Sequence, residues 1–280
     1  MNAELICTAK GTGQRFSKTV LESKRSVSNA GIKIELRPDE RDQTVLGFGG
    51  AFTDTSAAAL LQMDESLREE ILKRYFDPVE GLGYNAGRVP IGACDFTREL
   101  YSFDDHEDDR ELARFSVERD KKGIIPLIRT AGKYMANADE LYLYALPWSP
   151  PAWMKTNRDM LHGGHLEKKY YLGKFIDAYQ ENGISIRAVT SQNEPNEVQK
   201  WPSCEYSNEE EDEFLKCLIP EMKTRGVRIL CWDSNKDLMR QRAEYLMSDQ
   251  EICHDIDGVA FHWYSGGFYE ELEKLHKEFP

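Results

Sequence analysis

Short apolar runs alternate with long amphipathic stretches along most of this chain, and this alternation restricts its fold more than any other feature. Each run has the length and the apolar character of a strand that is buried on both faces of a parallel sheet. The predicted strands are Thr44–Phe48, Tyr84–Ile91, Leu141–Leu146, Ile186–Ser191, Val227–Trp232 and Gly258–Trp263. A succession of strand–helix units of this kind predicts a parallel α/β fold.

The stretches between these strands carry apolar residues at helical spacing and therefore predict helices. The predicted helices are Thr55–Phe76, Glu167–Asn182, Ser207–Arg225, Asp237–Ser248 and Gly267–Glu278. One of them begins with Ser207 and Glu210, the spacing of a capping box, and ends before Gly226. A closed barrel of eight such units takes about 250 residues, and at this spacing two more units would need roughly 80 further residues. We therefore predict an incomplete (β/α)8 TIM barrel with about six βα units.

The residues before the first strand–helix unit form a separate, β-rich part of the sequence. Within this part, Gly31–Leu36 alternates apolar with polar residues, as a half-buried strand does. We predict an N-terminal β segment over residues 1–43 and a barrel over residues 44–280 that stops before a seventh strand.

Composition argues against several classes of partner and cofactor. The chain has 36 basic and 49 acidic residues, a net charge of -13, whereas a nucleic-acid partner requires clustered lysine and arginine. No apolar run approaches the roughly 18 residues of a membrane span. The opening, Met1–Cys7, is too short and too polar for a signal peptide. We expect no nucleic-acid partner.

Two further patterns suggest metal or nucleotide binding, and we reject both. The run His162-Gly163-Gly164-His165 has no third metal ligand placed by the sequence, and the six cysteines include no CxxC pair. The run Gly47-Phe48-Gly49-Gly50 lacks the spacing of either nucleotide-binding fingerprint. The sequence therefore predicts no metal and no cofactor.

Polar and aromatic residues follow the predicted strands at their carboxyl ends, where a (β/α)8 barrel places its reactive groups. The clearest motif is Asn193-Glu194-Pro195, which follows the fourth predicted strand. Glycosidic cleavage needs a proton donor near the leaving oxygen and a second carboxylate across the ring. The structural alternative is a helix-capping asparagine beside a solvated glutamate. The position of the motif on a barrel pattern favours Glu194 as a catalytic acid and Asn193 as a partner of a sugar hydroxyl.

Three other strand ends supply candidate sugar-binding residues. Trp148 has an aromatic face that suits a sugar ring, although most tryptophans are core residues. Asp95 can accept hydrogen bonds from sugar hydroxyls, and Arg88 can pair with a carboxylate. His262 and Tyr264 point to the same side of the sixth predicted strand, and a buried core histidine is the alternative for the first.

The motifs at these strand ends also resemble those of a known family. They are Gly47-Phe48-Gly49-Gly50-Ala51-Phe52-Thr53-Asp54, Gly83-Tyr84-Asn85, Arg88-Val89-Pro90, Cys94-Asp95-Phe96, Pro147-Trp148-Ser149-Pro150-Pro151-Ala152-Trp153-Met154-Lys155-Thr156-Asn157, Gln192-Asn193-Glu194-Pro195 and His262-Trp263-Tyr264. In this order they resemble glycoside hydrolase family 30, the family of the glucosylceramidases. The resemblance runs from about residue 31 to residue 280.

The resemblance implies a retaining hydrolase that cleaves the β-glucosyl bond of glucosylceramide, in sphingolipid metabolism, and that is lysosomal or secreted. It implies a TIM barrel whose N-terminal strands belong to an accessory β-sandwich. It implies glucosylceramide or a related β-glucoside as the partner, with possible contacts to a membrane surface and an activator protein. Glu194 would be the proton donor and general acid/base. The implied substrate-binding residues are Arg88, Asp95, Phe96, Trp148, Asn193, Trp201, His262 and Tyr264.

The chain departs from the family pattern at its nucleophile. In the family this residue is a glutamate at the end of the seventh barrel strand, and the sequence reaches Pro280 before that strand. The acidic residues after Tyr264 fall in a helical pattern, so we expect the nucleophile to lie beyond Pro280 and this chain alone to be inactive. Two alternatives stay open: a β-glycanase of the same family, or a catalytically inactive homologue that binds sugar or lipid.

Overall fold

The computed structural model describes residues 3–22, 34–107, 109–137, 140–167 and 171–280, and the chain divides into two compact units, residues 1–45 and 46–280. In the first unit, β1 (Ala3–Cys7) and β2 (Ser17–Leu21) form an antiparallel pair. The strand predicted at Gly31–Leu36 lies outside the described residues over positions 31–33, and positions 34–36 have no regular secondary structure. Membership of this unit in an accessory β-sandwich stays a prediction.

The second unit contains a curled sheet of six parallel strands, which confirms the predicted fold class of an incomplete (β/α)8 barrel. The strands are β3 (Gly49–Ala51), β4 (Ala86–Ile91), β5 (Tyr142–Pro147), β6 (Ile186–Thr190), β7 (Arg228–Asn235) and β8 (Gly258–His262). Their order in the sheet is their order in the chain, so each strand pairs with its sequence neighbours. Their carboxyl ends therefore meet at one edge of the half-barrel.

Seven α-helices accompany the barrel strands in the described part of the chain. They are α1 (Asp54–Leu61), α2 (Glu65–Phe76), α3 (Ile124–Gly132), α4 (Leu172–Glu181), α5 (Asn208–Lys223), α6 (Lys236–Ser248) and α7 (Tyr269–Glu278). Short 3-10 turns lie at Asp120–Lys122, Ala152–Met154 and Cys253–Asp255. None of these helices is long and apolar enough to cross a membrane.

Two helix predictions needed correction, and one helix was missed. The single helix predicted at Thr55–Phe76 is two helices, because the chain leaves the helical path between Leu61 and Glu65 and α2 starts anew after Asp64. The helix predicted from Glu167 begins only at Leu172. Helix α3 was not predicted at all. The capping box at Ser207 and Glu210 is confirmed, since each side chain accepts a hydrogen bond from the backbone N–H of the other.

The first barrel strand was predicted in the wrong place. Residues 44–48 have no regular structure, and Val45, Leu46 and Phe48 are largely exposed. The strand lies at Gly49–Ala51 instead, because these residues can approach β4 closely. A Cβ atom on Gly49 would lie 1.6 Å from the carbonyl oxygen of Ala86, so a glycine is required at this position.

The hydrophobic core of the second unit lies between the sheet and its helices. Val89 of β4 and Ala145 of β5 are fully buried. They belong to one cluster with Phe175 and Tyr179 of α4, whose rings pack with centroids 4.2 Å apart. This core fixes the strands in place and leaves their carboxyl ends free to carry polar side chains.

Candidate active site

A cavity of about 410 Å³ opens at the carboxyl ends of the barrel strands. It is lined by Arg88, Asp95, Trp148, Asn193, Glu194, Glu197, Gln199, Trp201, Asn235, His262 and Tyr264. The structure thus brings together every residue that the sequence predicts for the site except Phe96. The side chain of Phe96 is 62% exposed and does not line the cavity.

Glu194 lies in the turn that follows β6, in a left-handed backbone conformation with φ of 49°. Its backbone N–H donates to the carbonyl of Asp233 at 2.9 Å, and the N–H of Asn193 donates to the carbonyl of Pro147 at 2.9 Å. A non-glycine residue in this conformation costs on the order of 1–3 kcal/mol and persists where neighbours hold it. The ends of β5 and β7 hold it here, and the side chain is turned into the cavity.

Asp233 is a site residue that the sequence analysis missed. It follows the apolar run of β7, and both it and Trp232 have positive φ angles, 57° and 74°. The pairing of β7 with β8 shifts register at this point, as in a β-bulge. The bulge turns the carboxylate inward, where it is 2% exposed and accepts a hydrogen bond from Thr190 Oγ1 at 2.9 Å. The available signal was an aspartate directly after a predicted barrel strand.

His262 bridges Glu194 and the buried Asp233. Its Nδ1 lies 2.9 Å from Glu194 Oε1, and its Nε2 lies 3.0 Å from Asp233 Oδ1. Burial alone would lower the pKa of His262, but the hydrogen bonds to Asp233 and Glu194 outweigh it and raise the pKa to about 9. At neutral pH the ring is therefore an imidazolium that donates one hydrogen bond to each carboxylate.

Arg88 completes the charge network on the other side of Asp233. Its Nη2 lies 3.3 Å from Asp233 Oδ2 and donates to Asn193 Oδ1 at 2.7 Å. Burial would raise the pKa of Asp233, but Arg88 and His262 hold it below its usual value, so the carboxylate stays ionised. Because Asn193 Oδ1 is used by Arg88, the amide NH2 is the group that Asn193 can offer to a ligand.

Tryptophans form two walls of the cavity. Trp148 is buried, and the guanidinium of Arg88 lies 4.5 Å from the centroid of its ring. Trp201 packs against the small cluster that contains Trp148 and Leu146. Tyr264 is 67% exposed at the rim, and its backbone N–H donates to Asn235 Oδ1 at 2.9 Å.

A buried lysine fastens the loops that carry these tryptophans. Lys155 is fully buried, and its Nζ donates to Ser149 Oγ at 3.1 Å and to the carbonyl of Ser203 at 2.6 Å. Ser149 follows Trp148 and Ser203 is close to Trp201 in the chain. Burial lowers the pKa of Lys155 to about 8. Its two hydrogen bonds connect the loop after Trp148 to the loop after Trp201.

Two other carboxylates face the cavity. Burial raises the pKa of Asp95, with a smaller contribution from Glu194 that Arg88 opposes. Burial also raises the pKa of Glu197, and Glu194 adds to the increase. Among the described residues, no group of three or more histidine, cysteine, aspartate or glutamate side chains is placed to hold a metal ion. The chemistry that the cavity offers is hydrogen bonding, aromatic stacking and proton transfer.

A parallel half-barrel with carboxylates and aromatic side chains around one cavity at its strand ends is typical of the barrel glycoside hydrolases. The comparison with known families agrees with this class. Residues 45–280 match the Glycosyl hydrolase family 30 TIM-barrel domain, and the chain belongs to that family. The family resemblance read from the sequence is therefore confirmed.

Individual relatives are about one-third identical to the chain over the aligned residues. Lysosomal acid glucosylceramidase of Mus musculus is 32% identical over 98% of this chain and 56% of its own length. The crystal structure of SrfJ from Salmonella typhimurium superimposes with a TM-score of 0.91 at 32% identity, over 100% of this chain and 64% of that one. The endo-β1,6-glucanase BT3312 gives a TM-score of 0.77 at 31% identity, over 88% of this chain and 57% of that one. The chain thus spans about half the length of the curated relatives that it matches.

Proposed function

We propose that this chain carries the acid/base half of a retaining β-glucosidase that acts on glucosylceramide or a related β-glucoside. The observation that carries the proposal is the placement of Glu194, whose carboxylate lines the cavity beside Arg88, Asp95 and Trp148 and contacts His262. A side chain turned away from that cavity would have removed the basis for a glycosidase. Membership in family 30 supports the same reaction class.

In this mechanism Glu194 protonates the departing glycosidic oxygen while a second carboxylate attacks the sugar, and Glu194 then activates water to release it. Glu194 Oε1 accepts the hydrogen bond of the His262 imidazolium, so Oε2 is the oxygen that carries the transferred proton. In a retaining enzyme the two carboxyl groups stand about 5–5.5 Å apart.

We propose a glutamate that follows residue 280 in a longer protein as the nucleophile. The acidic residues at the end of this chain do not take that role, because they belong to α7 and none lines the cavity. Those residues are Glu270, Glu271, Glu273 and Glu278. The carboxylate of Asp233 is also unsuited, since Arg88, His262 and Thr190 already occupy it. The 280-residue chain alone would then bind the sugar without turning it over.

The remaining cavity residues would recognise the glucose ring. Trp148 offers its ring face to the apolar side of the sugar, and Asp95 accepts from hydroxyls. Asn193 and Arg88 bind the hydroxyls near the reacting carbon, with His262 beside them. Trp201 and Tyr264 flank the entrance, where Phe96 joins them only if its exposed ring moves toward the ligand.

The choice of a glycolipid substrate is supported by the name of the mouse relative, lysosomal acid glucosylceramidase. The same name supports a lysosomal location for the protein and a role in sphingolipid metabolism. Contact with a membrane surface and with an activator protein belongs to the same proposal.

A β-1,6-glucan is the second candidate substrate, because structural and curated relatives named as endo-1,6-β-glucanases also match. Assays on glucosylceramide and on a β-1,6-glucan separate the two. A chain that binds both without turnover, even when the segment after residue 280 is present, would be the catalytically inactive homologue.

Binding of a glucose-configured cyclic amine to the 280-residue chain tests the proposal without requiring turnover. Calorimetry should show binding that Glu194→Gln and Trp148→Ala each weaken about tenfold or more, through a lost charge contact and a lost stacking face. Tyr269→Ala is the control, because Tyr269 lies on α7, is 73% exposed and does not line the cavity. No binding by the folded wild-type chain, or equal weakening in the control, would contradict the proposed site.

A further inference from the structure

A buried ion pair lies outside the cavity and behind Glu194. It joins Glu211 of α5 to Arg242 of α6, with Arg242 Nη1 2.6 Å from Glu211 Oε2 and the two side chains 0% and 4% exposed. Neither residue lines the cavity. A buried ion pair stabilises a fold only when further hydrogen bonds satisfy its remaining atoms. The partners of this pair are therefore informative.

The second oxygen of Glu211 ties the ends of two barrel strands together. Oε1 accepts from Ser191 Oγ at 2.5 Å and from the backbone N–H of Trp232 at 3.1 Å. Ser191 precedes Glu194 by three positions, and Trp232 directly precedes Asp233. The carboxylate thus fixes β6 to β7 at the level of the two acidic site residues.

Arg242 holds the chain on the other side of Glu194. Its Nη2 donates to Asn196 Oδ1 at 2.5 Å and to the carbonyl of Tyr206 at 3.0 Å. Its Nη1 also donates to the carbonyl of Ser207 at 3.2 Å. Asn196 follows Glu194 by two positions, so the ion pair binds the chain both before and after Glu194.

The turns that contain Glu194 and Asp233 have a strained backbone conformation. Glu194, Trp232 and Asp233 all have positive φ angles, and none of them is a glycine. Such conformations persist where surrounding contacts determine them. Hydrogen bonds from the pair reach positions on both sides of Glu194 and the backbone of Trp232.

We propose that Glu211 and Arg242 are positioning residues that hold the Glu194 turn and the Asp233 bulge so that Glu194 meets His262. The role of the pair in catalysis rests on the proposed function. Its effect on the position of Glu194 does not depend on that function. Neither residue lines the cavity, so the pair acts through its hydrogen bonds to Ser191, Asn196 and the backbone of Trp232.

The test follows the titration of His262 by NMR in the 280-residue chain, with no substrate present. The charged groups that face its ring are Glu194, Asp233 and Arg88, and the ring of Tyr264 lies edge-on to it with centroids 6.0 Å apart. Glu194→Gln provides the reference, and it should lower the pKa of His262 by about one pH unit, since a contacting carboxylate is lost. Arg242→Met should produce most of the same decrease. Asn196→Ala should produce a smaller decrease in the same direction, because it removes only one bond from the guanidinium.

Arg240→Met is the matched control. Arg240 lies on the same helix and makes surface ion pairs with Glu244 and Glu278, so its loss should leave the titration of His262 unchanged. Asn196 is exposed, so we expect Asn196→Ala to fold. This variant therefore tests the positioning role even if Arg242→Met does not fold.

An unchanged titration in Asn196→Ala would overturn the inference, as would an equal decrease in Arg240→Met. The inference would also fail if Glu194→Gln left His262 unaffected, because the contact would then be absent in solution. A chain that shows the expected decreases but binds no sugar would uphold the positioning role and refute the proposed function.

Discussion

At the scale of single residues, the site depends on a chain of contacting groups of alternating charge. In order, they are Glu194, His262, Asp233 and Arg88. Each negative group contacts a positive one, and the two central members are largely buried. In such an arrangement the removal of one partner leaves another charge buried and unpaired, which costs about 3–5 kcal/mol. The network therefore links the stability of the fold to the protonation of its site.

The link predicts a pH-dependent role for His262 in stability. Its folded pKa, about 9, lies above its unfolded value of about 6.5, so its contribution is fully present below about pH 6.5 and is lost as pH rises through about 9. Urea denaturation of wild type and His262→Gln should show a difference on the order of 2–3 kcal/mol at pH 6 that shrinks towards pH 10. A difference that grew with pH would contradict the imidazolium.

Asp233→Asn supplies a second residue-scale prediction. It keeps the shape of the side chain but removes the charge that Arg88 and His262 share, so we expect a loss of about 3–5 kcal/mol in unfolding free energy. Asp237→Asn, at the start of α6, is a control that should cost about 0.5 kcal/mol or less. Equal effects in denaturant titrations would show that the buried network adds no stability.

Much of the site could be predicted at this scale, because its residues stand in contiguous motifs after apolar strands. Glu194, Trp148 and His262 were found in this way, and the structure places them around one cavity. Asp233 could not be found by the same argument, since its inward direction depends on a β-bulge with positive φ angles. Phe96 illustrates the opposite case: it belongs to a predicted motif, but its exposed ring does not line the cavity.

At the scale of elements, apolarity located strands β4 to β8 but not β3. Val45, Leu46 and Phe48 are apolar and yet exposed, whereas the true strand consists of two glycines and an alanine. A hydrophobic pattern cannot identify such a strand, because the strand is determined by the close approach of its backbone to β4 and not by apolar side chains. Helix α3 was missed for a different reason: its buried residues do follow helical spacing, but the helix has only nine residues, with a proline in its first turn and a glycine at its end.

The close contact at β3 makes a prediction with an internal control. Gly49→Ala should destabilise the chain by about 1–3 kcal/mol or prevent β3 from pairing, since its Cβ would overlap the carbonyl of Ala86. Gly50→Ala should be close to neutral, because no atom lies within 4 Å of its Cβ position. Thermal unfolding of the two variants gives the comparison, and equal midpoints would refute the assigned pairing.

At the scale of the whole molecule, the described sheet ends in two edge strands, β3 and β8. Phe261 on β8 is 48% exposed, and Trp263 and Tyr264 beside it are more exposed still. Edge strands with exposed apolar residues promote association between chains, whereas the net charge of -13 opposes it. Salt screens the second effect more than the first.

We therefore predict that the 280-residue chain associates as its concentration rises, and more so at about 0.5 M salt than at about 0.05 M. Phe261→Glu should reduce association measured by analytical ultracentrifugation. Leu67→Glu, at a residue of α2 with 51% exposure, adds the same charge away from the sheet edge and should reduce it less. Equal effects of the two variants would show that charge alone, and not the edge, controls association.

The central claim is that Glu194 supplies the proton to the leaving group, and the dependence on leaving group tests it most directly. In a longer form of the protein that includes the segment after residue 280, Glu194→Gln should slow hydrolysis of glucosylceramide about 10²–10⁴-fold. With a dinitrophenyl β-glucoside, whose leaving group needs no proton, formation of the glycosyl-enzyme should stay within about tenfold of wild type. Normal turnover of glucosylceramide by Glu194→Gln, or equal losses on both substrates, would contradict the account.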